Sequence, residues 1–434
     1  MEMTITNDKP KSNALPMAIV AVLFFILGFA TWLNGSLMPY LKQILQLSPF
    51  QASLILFSFY IAVTFTALPS ATIIRKIGYK NGMALGMATM MIAGLLFIPA
   101  AQTQIFALFL FAQLVMGSGI TLLQTAVNPY VVRLGPEESA AARISIMGIL
   151  NKGAGVIAPV VFTALILSGF QEHSAEVLTQ TRIDEMASSL VMPYLGMAIF
   201  IGLLGFAVKK SSLPELPSED DSEEANSKGH IKEALSHPSL ALGVLTIFFY
   251  VAVEVIAGDT IGTFALSLGV ENYSVMTSYT MICMVVGYIL GIFFIPRFIS
   301  QQKALTVSAI LGLLLSLGVV FGDNNSYAIA NAVLVPFGGG QLPDTLLLIA
   351  FLGLANAIVW PAVFPLALSG MGKLTSVGSA LLVMGISGGA FGPLFWGLAS
   401  GSSFGQQGGY IVMLPCYAFI LFYALKGHKM KSWK

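Results

Sequence analysis

SSLPELPSEDDSEEANSKGHIKEALSHP, Ser211 to Pro238, is the stretch on which the reading of the chain turns. It is the only long polar segment between apolar runs, and its acidic cluster and prolines leave it too little apolar surface to pack a core, so it reads as a linker. Working outward from it, six apolar runs precede it, near 17–41, 50–74, 82–101, 104–132, 144–169 and 188–208. Six more follow, near 240–266, 274–299, 303–322, 343–368, 376–400 and 408–426. Each approaches the roughly 20 residues that a helix needs to cross the hydrocarbon of a bilayer. The expected architecture is an all-α membrane protein of twelve transmembrane helices in two six-helix halves, 1–210 and 239–434, joined by the linker 211–238.

Composition agrees. The 434 residues are 56% hydrophobic and 9% charged, with a mean hydropathy of +0.84, whereas soluble domains carry about 25% charged residues. Cys283 and Cys416 both lie in apolar runs and read as small core residues rather than a disulfide or metal pair. The first run is too long for a signal-peptide core and lacks a small-x-small cleavage site, so a retained first span is expected.

Positive charge is unevenly distributed. Of 21 Lys and Arg, all but Lys42, Lys152 and Arg182 fall at the N-terminus, in the linker, at the tail, or in the loops on the same side of the membrane. Both termini and the linker are therefore expected to be cytoplasmic, in a bacterial inner membrane. The halves also echo each other: PSATIIRKIGYKNGMALG (Pro69–Gly86) parallels GIFFIPRFISQQKALTVSAILG (Gly291–Gly312), QTAVNP (Gln124–Pro129) parallels NAIVWP (Asn356–Pro361), and MGI recurs at Met147 and Met384. Parallel half-repeats across a polar linker mark secondary transporters of the major facilitator type, which hold substrate between the halves.

Several chemistries lack their residues. There is no G-x-x-x-x-G-K-[ST] loop for a nucleotide phosphate, and no H-E-x-x-H or G-x-S-x-G. All four histidines, His173, His230, His237 and His428, lie in loops, linker or tail. The chain reads as a non-enzyme with no cofactor, no metal site and no nucleic-acid partner, expected to act as a monomer among membrane lipid.

Charges inside the spans are costly and usually functional. Most acids sort to loops: Glu2, Asp8, Glu137 and Glu138 with the linker cluster on the basic side, and Glu172, Glu176, Asp184, Glu185, Glu271, Asp323 and Asp344 on the other. Glu254 and Asp259, in YVAVEVIAGDTIG (Tyr250–Gly262), remain. Five residues apart, they point about 140° from each other around an ideal helix, so they face one place only if Gly258 and Gly262 break it. Asp259 could alternatively be hydrated near the outer mouth. Lys152, in SIMGILNKGAGVIAPVVF (Ser145–Phe162), sits about 12 Å along the fifth span. It reads as a buried ion-pair partner, a donor to substrate, or an amine snorkelling to cytoplasmic water. Trp32, Asn34, Gln124, Asn128, Asn151, Asn356 and Trp360 add amides and indoles within the spans. Amides match hydroxyl groups and indoles match the C–H face of a neutral sugar, although any one amide could simply join helices.

FFILGFATWLNGSLMPYLK (Phe24–Lys42), LLQTAVNPYVVRLGPEE (Leu122–Glu138) and FFYVAVEV (Phe248–Val255) resemble the fucose–galactose–glucose:proton symporters of the major facilitator superfamily. The resemblance covers nearly the whole chain and looks strongest to the bacterial glucose/galactose branch and its N-acetylglucosamine-transporting relatives. It implies an importer of a hexose or N-acetylhexosamine working by alternating access, with a proton or sodium ion as coupling cation. In that branch a glutamate is expected in the seventh span, which Glu254 matches, and Asn151 matches a sugar-binding amide. Fucose members carry an acid after the first-span amide and a glutamate before T-A-x-N-P, where this chain has Gly35 and Gln124. Lys152 replaces a small neutral residue common at its position. Cation coupling is thereby expected at Glu254 and Asp259 with Lys152 as counter-charge. An uncoupled sugar facilitator and a non-transporting membrane sugar sensor are the alternatives.

Overall fold

The computed structural model describes residues 14–134, 140–167, 179–215, 228–295, 297–371, 374–403 and 405–433. Glu2, Asp8, Lys9, Lys11, Glu137, Glu138, Glu172, His173, Glu176, the SEDDSEE cluster, Lys373 and Lys434 lie outside them. Among the described residues there is no strand, and twelve helical segments are long and apolar enough to cross a membrane.

The first half contributes α1 (Ala14–Ile44), α2 (Pro49–Ile77), α3 (Tyr79–Thr103), α4 (Phe106–Arg133), α5 (Ala140–Phe162) and α6 (Val191–Lys210). The second contributes α7 (Pro238–Asp259), α8 (Met276–Phe294), α9 (Gln301–Phe321), α10 (Asp344–Ala357), α11 (Thr375–Met384) and α12 (Met413–Leu425). Local signals set several boundaries. Ser48 caps α2 reciprocally with Gln51, with Pro49 in the first turn, satisfying amides that have no helical partner. Gly78, at φ 85°, turns the chain from α2 into α3 in a backbone region that favours glycine.

Four spans depart from the simple reading. The seventh breaks at Thr260 and resumes at Ile261–Ser267, between the two glycines proposed as hinges; the Thr260 hydroxyl donates to Ile256 O at 2.6 Å, beside the backbone bond from Thr260 N to the same oxygen at 3.1 Å. The eighth ends at Phe294, before Ile295-Pro296, because a residue preceding proline disfavours helix. The tenth is interrupted at Ile358 and continues as Val359–Leu368; Pro361 has no amide proton to give Ala357 O. The eleventh tightens at Gly385–Ser387 before continuing as Gly388–Ser400. The structure also adds a short helix, Ala328–Val333, in the link before α10. Asp344 ties that link down, accepting from the Ser326 hydroxyl and from the amides of Ala328 (3.0 Å) and Ile329 (2.8 Å).

Outward-facing positions such as Leu203, Phe206, Leu314 and Phe321 are exposed, a cost in water that disappears against lipid tails. One end of the bundle carries Lys76, Lys80, Lys209, Lys210, Lys303 and Lys426, and is called the basic end below. There Lys80 Nζ donates to Ser211 O (2.6 Å) and the Tyr130 hydroxyl to Pro214 O (2.7 Å), pinning the start of the linker to the first half.

At the opposite, far end the halves meet closely. The Ser36 hydroxyl donates to Ser274 O, Gln43 Nε2 donates to the Tyr273 hydroxyl at 2.8 Å, and Thr163 Oγ1 lies 2.9 Å from Ser274 Oγ. Close approach also depends on glycine: a Cβ on Gly397 would come within 2.8 Å of Ser53 Cβ, which joins α2 to the continuation of α11.

Candidate functional site at the meeting of the halves

Lys152 of α5 and Glu254 of α7 form an ion pair between the halves, Nζ to Oε1 2.7 Å, with the two residues only 9% and 7% exposed. α5 lies against α8 and α1, and α1 in turn contacts α7, so the amine is carried across the interface. The Tyr250 hydroxyl, one turn before Glu254 on the same helix, donates to the same oxygen at 2.9 Å. The Lys152 amine also lies 4.3 Å from the centroid of the Trp32 ring, a cation–π contact that gains strength when shielded from water.

Trp32 is itself 2% exposed and wedged between the halves. A Cβ on Gly155 of α5 would come within 2.8 Å of its Cδ1, and a Cβ on Gly258 of α7 within 2.6 Å of its Cζ3. Gly258 therefore makes room for an indole rather than breaking α7. Met281 and Met284 of α8 complete the cluster, with Tyr288 against them.

These contacts correct two of the alternatives. Lys152 does not snorkel to cytoplasmic water, because Glu254 lies within salt-bridge distance of its buried amine. Asp259 is not hydrated at the outer mouth: it is 0% exposed, and neither carboxylate oxygen has a hydrogen-bond partner. It lies beside α1, with Oδ1 3.0 Å from where a Cβ on Gly35 would stand.

The amides divide. Asn34 accepts from Gln113 Nε2 of α4 at 2.9 Å, beside a cavity of about 10 Å³ lined within the first half by residues including Leu37, Phe97 and Tyr194. Asn356 Oδ1 accepts from the Tyr417 hydroxyl of α12 at 2.8 Å. Asn151 Nδ2 reaches Phe24 O of α1 at 3.4 Å. These three join helices within one half. Gln124, half-buried, and Asn128, exposed, make no hydrogen bond among the described residues and keep their polar groups free for another partner. Trp360 stacks on Phe364, ring centroids 5.5 Å apart, and lies 6.5 Å from Tyr250, so it reaches the charged site through the tyrosine.

The structure thus brings Trp32, Lys152 and Glu254 together, places Trp360 and Asp259 near them, and leaves Asn34 and Asn356 in separate contacts between helices of one half each. Tyr250 and Gln113 were absent from the candidates read from sequence. Tyr250 was legible as the residue one turn before an intramembrane acid; Gln113 sits alone in an apolar run with nothing to mark its partner. Among the described residues no group of three His, Cys, Asp or Glu is placed to hold a metal.

Comparison with known proteins gives a consistent answer. The family model described as Major Facilitator Superfamily matches residues 20–393. A "Glucose/galactose transporter" of Brucella abortus biovar 1 (strain 9-941) is 33% identical over 433 residues, covering 98% of this chain and 96% of that protein. An "L-fucose-proton symporter" of Escherichia coli (strain K12) is 28% identical, covering 95% and 93%. The solved structure of the transporter FucP in its outward conformation superposes with a TM-score of 0.70 at 24% identity, covering 96% of this chain and 99% of that one. On a match that spans most of its length, together with twelve membrane-crossing helices, this multi-pass membrane chain belongs to the Major Facilitator Superfamily.

Proposed function

We propose that the protein imports a neutral hexose together with a proton, by alternating access. The sugar class follows the names of its relatives, glucose/galactose transporter and L-fucose-proton symporter. The single observation that carries the coupling is the Lys152–Glu254 pair bridging the halves.

In this reading the pair is the proton-free arrangement. One proton added to the Glu254 carboxylate removes its charge and its attraction for the amine, so the contact that draws α5 to α7 weakens and the halves shift toward another closure. Each inward turnover carries one sugar and one positive charge. In this reading the basic end, rich in Lys and Arg, faces the cytoplasm of a bacterial inner membrane, and an inward proton gradient sets uptake as the direction of transport. Gln124 and Asn128 offer unpaired amides for sugar hydroxyls, and Trp360 offers an aromatic face.

Purified protein in liposomes tests this directly. Imposing a proton gradient should drive labelled glucose or galactose above its equilibrium level, and an equal sodium gradient should not; N-acetylglucosamine belongs in the same panel. Equilibration without accumulation under either gradient would make the protein a facilitator, and binding without counterflow would make it a sensor. The Gln124 role has its own test. Gln124→Ala should raise the half-saturation concentration for sugar by about 10-fold or more, from about 1.4 kcal/mol of lost hydrogen bonding, with insertion unchanged. An unaltered concentration dependence would remove Gln124 from the sugar site.

A further inference from the structure

We propose that Asp259 is a proton-operated latch on the far end of the carrier. The far end closes only after this carboxyl has taken one proton from far-side water, and the proton returns to the same side when that end reopens. The proposal rests on the transport reading above and adds a second proton, which gates the cycle without being carried across.

Asp259 is the last residue of α7, where α7 packs on α1 and α8. It is fully buried, neither oxygen has a well-formed hydrogen bond, and the backbone of Gly35 within α1 is the donor that comes near it. Thr277 of α8 is committed elsewhere, donating to Gly258 O at 2.8 Å. A carboxylate ion enclosed in this way, without a donor or counter-ion of its own, is strongly disfavoured; the protonated acid is a neutral group of nearly the same shape.

The titratable groups around it do not supply the missing charge. From α1 and α8 it is met by Gly35 and Thr277, which do not titrate. From α5 comes Lys152, already engaged by Glu254, and from α7 comes Glu254 itself, whose charge opposes a second negative one; Tyr60 of α2 lies within electrostatic reach. The carboxyl sits at the seal: Ser36, one residue after Gly35, bonds to Ser274, and Gln43 bonds to Tyr273. Separating α1 from α7 and α8 breaks those bonds and admits water to Asp259 in the same movement. Closure is therefore linked to proton uptake, favoured as pH falls and lost as pH rises.

The test needs neither sugar nor a gradient, so it is independent of the substrate and coupling assignments. Spin labels at Thr181→Cys and Asn272→Cys, exposed far-end positions in opposite halves, report closure as a distance in a background with Cys283→Ser and Cys416→Ser. The short-distance population should grow as pH is lowered from about 9 to about 4, the lower end of which reaches the ordinary carboxyl range. Asp259→Asn should stay closed at the alkaline end of that range, where the parent opens, leaving only the response that protonation of Glu254 supplies. Asp259→Ser, also neutral, carries the same expectation should the asparagine variant fail to insert. Glu254→Gln and Tyr60→Phe should each keep a pH response. A pH response in both Asp259 variants matching the parent, or its loss in Glu254→Gln or Tyr60→Phe while the Asp259 variants retain it, overturns the proposal.

Discussion

Lys152→Met is expected to cost about 3–5 kcal/mol of stability and to abolish transport, because it strands the Glu254 carboxylate in a buried site with only Tyr250 still donating to it. The cation–π contact with Trp32 is lost in the same substitution. The informative result is the second substitution. Adding Glu254→Gln removes the stranded charge, so the double variant should regain most of the lost thermal stability and recover sugar counterflow without proton-driven uptake. Adding Asp259→Asn should not rescue, since Asp259 is not the residue bonded to the amine. Melting temperatures in detergent and counterflow in liposomes distinguish these outcomes. A stable, fully active Lys152→Met protein would show that the interhalf pair carries no part of the mechanism.

Glu254→Gln alone is expected to convert a concentrating transporter into an exchanger. A membrane potential of 100 mV acting on one carried proton supplies about 2.3 kcal/mol, or roughly 50-fold accumulation of sugar. The variant should lose all of it. Counterflow should persist, since exchange requires no net movement of protons, and the glutamine carbonyl can still accept from Lys152 and Tyr250. Undiminished accumulation in a well-inserted Glu254→Gln protein would assign the carried proton elsewhere.

The twelve spans and their grouping were legible because hydropathy and length are properties of contiguous sequence. The interruptions at Thr260 and Ile358 were less so: the former falls where neither proline nor glycine stands, and the latter depends on a proline whose effect appears one turn upstream. In the site, the presence of Lys152, Glu254 and Asp259 in apolar runs flagged them at once, yet the choice of partner for Lys152 was not available. The pair is separated by 102 positions, and only the packing of α5, α1 and α7 decides which of two acids the amine meets. The amides were harder still. Asn34, Asn151 and Asn356 look the same in sequence as Gln124 and Asn128, and what separates them is whether a donor or carbonyl on the adjacent helix happens to lie opposite. Glycine was misleading in a specific way, since Gly258 is small for the sake of Trp32 rather than for the flexibility of its own helix.

The elements that meet across the interface are unequal in continuity. α1 and α2 run unbroken for 31 and 29 residues, whereas the seventh and eleventh spans opposite them are each divided in two, at Thr260 and at Gly385–Ser387. A rod and a jointed rod pressed together do not share deformation equally. When the halves rock, bending in the second half has places to start at Thr260 and at Gly385–Ser387, whereas in α1 and α2 it has only Pro39 and Pro69, inside helices that stay continuous. Asp259 adjoins one of these joints, so a change of charge there falls where the helix is already divided.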